Sequence, residues 1–140
     1  NSLIEASVKF SFKLNIACPK KYLPNENLLK WAMSNNKKIK IVQNCIKAAQ
    51  GSDVVFTDKV ISMNDKVNKV KKLKEFNNFK VTSKVMSYAK KDAIFLHCLP
   101  RGLEVSDEVF LGKQSKVWQQ ALNRIYVQKS ILLYCFEKLR

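Results

Sequence analysis

At 140 residues, 46% hydrophobic and 26% charged, the chain has the length and make-up of one folded domain, able to bury roughly two-thirds of its unfolded surface. Three glycines and three prolines exclude collagen-like or low-complexity sequence, and the longest apolar stretch, Ile131 to Phe136, falls far short of the ~20 residues that span a bilayer. The formal charge of +15 is mostly lysine, because only Arg101, Arg124 and Arg140 carry the guanidinium fork suited to bases and phosphates.

In chain order, Leu3 to Phe12 has helical period, and the apolar run Leu14–Cys18 is too short for a helix and reads as a strand. Asn25 to Asn35 is a second helix, with Leu28, Trp31, Ala32 and Asn35 on one face and Pro24 and Asn25 as its start signal. A strand at Lys40–Gln43 is followed by a short helix that Asn44 caps and Gly51 stops. Val54–Thr57 is the third strand. Met63, Val67, Val70 and Leu73 or Lys74 mark a further helix, and Val81 to Lys90 another short one. Ala93–His97 is the fourth strand. The last helix carries Ala121, Ile125, Gln128, Leu132, Cys135 and Leu139 on one stripe, with Val127, Ile131 and Tyr134 beside it. That apolar arc is wider than one helix face needs, so the helix is either deeply embedded or built for a second packing partner.

Strands that are continuously apolar and alternate with helices predict an α/β, three-layer domain, with a central, mainly parallel sheet and helices on both faces. Ligands in such sheets bind beyond the carboxyl ends of the strands, here Cys18–Pro19, Gln43–Asn44, Asp58 and His97–Cys98. No glycine-rich phosphate loop follows any strand. Cys18, Cys45, Cys98 and Cys135 lack the spacing of a zinc knuckle or redox pair, and all but Cys98 read as small apolar fillers. Trp31 and Trp118 read as packing residues.

The strand-end residues resemble a known family. Thr57-Asp58 followed by Ile61-Ser62-Met63, then Phe95-Leu96-His97-Cys98-Leu99-Pro100-Arg101, are similar to the ornithine carbamoyltransferases of the aspartate/ornithine carbamoyltransferase family. The resemblance extends through Asn1-Ser2-Leu3-Ile4-Glu5-Ala6, Ala17-Cys18-Pro19 with Tyr22, Ser106-Asp107-Glu108-Val109-Phe110 and Asn123-Arg124, nearly the whole chain. It implies that residues 1–140 form the ornithine-binding domain, with the carbamoyl-phosphate-binding N-terminal domain absent. The implied reaction moves a carbamoyl group from carbamoyl phosphate to L-ornithine, giving citrulline and phosphate, without metal or organic cofactor, in a homotrimer. The resemblance assigns Asp58, Ser62 and Met63 to ornithine, Cys98 and Leu99 to the point where ornithine's amine meets carbamoyl phosphate, and Arg124 to carbamoyl phosphate. Cys98 and Arg124 are thus the implied catalytic pair. His97 stays open between orienting its loop and touching substrate.

Half of a two-substrate site holds one reactant, so the chain alone is expected to be inactive. Two other readings stand beside this one: a free-standing or decaying amino-acid-binding module without catalysis, and a basic nucleic-acid-binding protein on an inherited fold. Scattered lysines, without an interleaved aromatic stripe, weigh against nucleic acid. Because no charged segment followed by an apolar block opens the chain, the expected location is cytoplasmic or an organelle matrix, with no membrane partner.

Overall fold

The computed structural model describes residues 1–61 and 68–138. Parallel strands alternate with helices, the α/β arrangement that the sequence predicts. Helix α1 (Ser2–Lys9) leads to β1 (Leu14–Ala17), and α2 (Glu26–Asn35) leads to β2 (Ile39–Val42). Next come α3 (Cys45–Ala49), β3 (Val54–Thr57), α4 (Lys69–Phe76), α5 (Ser83–Met86) and β4 (Ile94–His97). Helices α6 (Asp107–Phe110) and α7 (Val117–Lys138) close the described chain. Each strand lies within a residue of its predicted span, because short Ile- and Val-rich runs leave little room for another period.

Asparagine side chains start three helices. Asn25, Asn44 and Asn68 accept the N–H groups of Leu28, Lys47 and Lys71 at 3.0–3.1 Å, filling donors that no helical carbonyl reaches. Gly51, just past α3, adopts φ +66°, a conformation that glycine enters without a Cβ penalty.

Hydrogen bonds group the strands into two parallel pairs, β1 with β2 and β3 with β4, where the sequence suggests one sheet. Between β1 and β3 lies a cavity of about 120 Å³ lined by Asn15, Ala17, Val54, Phe56 and Val81. On the other side of β4, residues 114–116 run parallel: Phe95 N–H donates to the Gln114 carbonyl at 2.8 Å and Lys116 N–H to that of Phe95 at 2.9 Å. Each pair has its own apolar cluster. Val55, Phe95, Val105, Val109, Phe110 and Val117 belong to the larger, and Ile4, Leu29, Ala32 and Ile39 form the smaller.

Other expectations are corrected. The helix expected over 81–90 is the four-residue α5: Val81 bridges Val105, and Lys90 donates its N–H to the Ser52 carbonyl, so backbone groups at both ends pair outside the helix. Met63 and Val67 lie outside the described residues, while Val70 and Leu73 sit on α4. Helix α7 begins at Val117, before the predicted stripe, and its residues from Ala121 to Glu137 are exposed. Of the two readings of its apolar arc, deep embedding is therefore excluded for the described residues. Cys135 is exposed with it and fills no core, whereas Cys18 is buried and Cys45 half-buried. Trp118 meets Phe110 edge-on at 6.1 Å but is 63% exposed, so it packs with one side only. Among the described residues no helix is long and apolar enough to cross a membrane.

Candidate functional site

The register of β3 against β4 builds the site. Thr57 lies opposite His97, so the next residue of each strand, Asp58 and Cys98, emerges side by side on the carboxyl rim. The Cys98 thiol donates to Asp58 Oδ1 at 3.0 Å, and the same oxygen accepts the Lys59 N–H at 2.7 Å. Asp58 is exposed and Cys98 half-buried. Burial, then the hydrogen bond to Asp58, push the Cys98 thiol above its ordinary range; the Lys59 N–H acts against them, and the carboxylate charges of Asp58 and Glu104 add smaller upward pushes. A thiol so placed stays S–H at neutral pH, which suits a neutral donor and not a thiolate nucleophile. Leu99, 43% exposed, extends the rim, and the bond from it to Pro100 is cis.

Behind the rim sits a buried pair. The chain's one histidine, His97, holds Nε2 at 2.8 Å from Glu104 Oε1, both side chains being almost wholly buried. His97 Nδ1 contacts the Cys98 carbonyl, so the ring braces the peptide that carries the thiol. Glu104 also accepts the N–H groups of Gly102 at 2.5 Å and Val60 at 3.4 Å. Burial opposes its ionisation, but the hydrogen bonds from the Gly102 N–H, its own N–H, His97 and the Val60 N–H outweigh burial and hold its pKa below the usual carboxylate range. Gly102 permits the approach, since a Cβ there would come within 2.7 Å of Glu104 Oε2. Next to the pair, a depression of about 490 Å³ is lined by Val60, Leu73, Phe76, Lys80, Leu103 and Glu104.

The predicted residues are thus partly assembled. Asp58, Cys98 and Leu99 share the rim. Arg124 lies on α7 one turn beyond Gln120, whose Oε1 accepts the His97 N–H at 3.0 Å; Arg124 itself is exposed and is not drawn into the Asp58–Cys98 contact. Arg101 pairs with Asp107 at 2.6 Å and lies over the Phe110 ring. Ser62 and Met63 lie outside the described residues. His97 is buried behind the loop, its ring against the Cys98 carbonyl and Glu104. Glu104 was missed by sequence reasoning; its signal was a lone acid seven residues after the sole histidine, across a Pro-Arg-Gly turn. Among the described residues no group of three or more His, Cys, Asp or Glu is placed to hold a metal ion.

Comparison with known proteins bears on this geometry. Residues 1–135 match the family described as aspartate/ornithine carbamoyltransferase, Asp/Orn binding domain. The chain is 40% identical over 146 residues to an ornithine carbamoyltransferase of Methanococcus aeolicus, an alignment covering 99% of this chain and 48% of the relative. It is 42% identical over 144 residues to one from a Nitratiruptor species, covering 99% of this chain and 47% of the relative. The crystal structure of the anabolic ornithine carbamoyltransferase of Campylobacter jejuni superposes with a TM-score of 0.89 at 37% identity, over 98% of this chain and 47% of the other. The Pyrococcus furiosus enzyme gives 0.84 at 36%, over 94% and 44%. The chain therefore spans about half the length of the curated relatives it matches.

Proposed function

Because the chain belongs to the aspartate/ornithine carbamoyltransferase family, we propose that residues 1–140 are the ornithine-binding half of an ornithine carbamoyltransferase, inactive without a carbamoyl-phosphate-binding domain. The observation that carries this reading is the 3.0 Å contact of Cys98 with Asp58 on the carboxyl rim of two parallel strands.

The residue types suit a diamino acid. The Asp58 carboxylate is exposed and takes an α-ammonium in a charge-assisted bond, in exchange for the thiol it now accepts. The family resemblance assigns Ser62 and Met63 to the same end of ornithine. An alkylammonium such as ornithine's titrates near ~10.4 in water and must lose a proton before it attacks a carbonyl. The partial burial around the Cys98 thiol favours that loss, because desolvation disfavours the ammonium, while the neighbouring Asp58 carboxylate works against it. Cys98 and Leu99 then flank the amine where it meets carbamoyl phosphate, and Arg124 neutralises charge developing on the acyl and phosphate oxygens. The second substrate and the homotrimer belong to the complete enzyme, as does a cytoplasmic or organelle-matrix location.

Calorimetry of the purified chain with L-ornithine tests the reading. Saturable binding of L-ornithine, weaker binding of L-aspartate and of a diamine lacking α-groups, and no citrulline from the chain with both substrates are expected. Heat indistinguishable between ornithine and the diamine would refute it, as would citrulline formation. Salt-dependent retention on DNA without ornithine binding would instead favour the nucleic-acid reading.

A further inference from the structure

The Asp58–Cys98 contact joins two loops that leave different strands, and nothing in β3 or β4 beyond Thr57 and His97 fixes their spacing. One side chain bridges both. Glu104 accepts from Val60, two residues past Asp58, from His97, one residue before Cys98, and from Gly102 in the returning turn. We infer that Glu104 is a positioning residue, whose buried carboxylate ties the loop after β3 to the loop after β4 and so holds Asp58 against Cys98. Two further observations support the tie. The Glu104 backbone is itself anchored, its carbonyl accepting the Val81 N–H at 2.9 Å. Gly102 is also the residue at which an added Cβ would displace the carboxylate, at 2.7 Å from Oε2.

This deepens the ornithine reading by naming what keeps its site assembled, but its test needs no ornithine. The groups that bear on Cys98 are the Asp58 carboxylate, the Lys59 N–H and the Glu104 carboxylate. Alkylation of Cys98 by iodoacetamide, followed peptide by peptide by mass spectrometry across pH, reports its thiol midpoint. Asp58→Asn removes the carboxylate and sets the full effect: a lower midpoint, with alkylation below the midpoint about tenfold faster for each unit of fall.

Glu104→Asp keeps a negative charge but is one methylene too short to bridge, and Gly102→Ala keeps Glu104 but pushes it aside. Both should reproduce most of the Asp58→Asn change. Glu104→Gln keeps one acceptor oxygen for His97 and Gly102 but sets an amide nitrogen where Oε2 accepts from Val60, so it cuts the tie to the loop after β3 and should also move the midpoint. A large shift in the Gln variant beside little or none in the charge-keeping Glu104→Asp and Gly102→Ala variants would mean that Glu104 acts on Cys98 only through space and would overturn the inference. So would native midpoints in both Glu104→Asp and Gly102→Ala, with circular dichroism confirming the fold. Failure of ornithine to bind any of these proteins would count against the proposed function alone.

Discussion

Replacing His97 with alanine should destabilise the domain by about 3 kcal/mol, at the low end of the ~3–5 kcal/mol range for removing the partner of a buried charge, here the Glu104 carboxylate. The low end applies because Glu104 keeps two backbone donors, Gly102 and Val60, after the imidazole is gone. Lost packing adds to the cost, since the ring lies 6.1 Å from Phe110 and 6.3 Å from Phe95, centre to centre. Domains carry only about 5–15 kcal/mol in total, so the loss is large. With urea slopes of about 1–3 kcal/mol per molar, it lowers the denaturation midpoint by about 1–3 M, read by circular dichroism. Adding Glu104→Gln removes the stranded charge, so the double variant should cost less than the two singles summed, by about 0.5–3 kcal/mol. A loss below about 1 kcal/mol, or strict additivity, would show that the two side chains do not depend on each other.

Phe95, with no exposed surface, sits at the centre of the larger cluster, and Phe95→Ala should cost about 3–5 kcal/mol in the same urea assay. Acid should weaken the fold through Glu104: its carboxyl lies below the usual range when folded, so its contribution is complete above the unfolded value and is lost as pH falls through the folded one. Urea midpoints from pH 7 to pH 3 should therefore fall less steeply in Glu104→Gln than in the native chain. Asp58→Asn should weaken L-ornithine binding at least tenfold by calorimetry, since bonds to charged groups are worth about 1.5–3 kcal/mol. Leu132→Lys, on the exposed face of α7, should leave thermal stability within about 0.5 kcal/mol while reducing self-association seen by light scattering.

The strands were legible because each is a short apolar run bounded by breakers, and the helix starts because asparagine caps by a local bond of three residues' reach. Asp58 and Cys98 were legible as strand-end residues; that they touch depends on the β3–β4 register, which their own runs do not encode. What stayed hidden was decided over distance. Residues 114–116 flank β4 although Gln114, Ser115 and Lys116 carry no apolar pattern, because their backbone pairs with Phe95 from outside the named strands. Nothing in the sequence around Glu104 marks it as buried. Burial of a carboxylate depends on partners gathered from positions 60, 97 and 102, and no periodicity announces such a gathering. The exposure of α7 was likewise undecidable from its stripe, since an apolar arc states a need for cover without saying what supplies it.

The cavity that separates β1 from β3 bears on cooperativity. The two apolar clusters share no residue; α3 ties them, with Ala49 in the larger cluster and Ala48 accepting the Asn15 side chain at 3.0 Å, and Tyr22 reaches α4, its hydroxyl donating to Glu75 at 2.5 Å and its ring 4.8 Å from that of Phe76. Local opening should therefore be uneven, with amides of β3 and β4 exchanging more slowly than those of β1 and β2 in a hydrogen-exchange measurement. The rim that carries Asp58 and Cys98 rests on the half with the larger apolar cluster, so it should be among the last parts of the molecule to open.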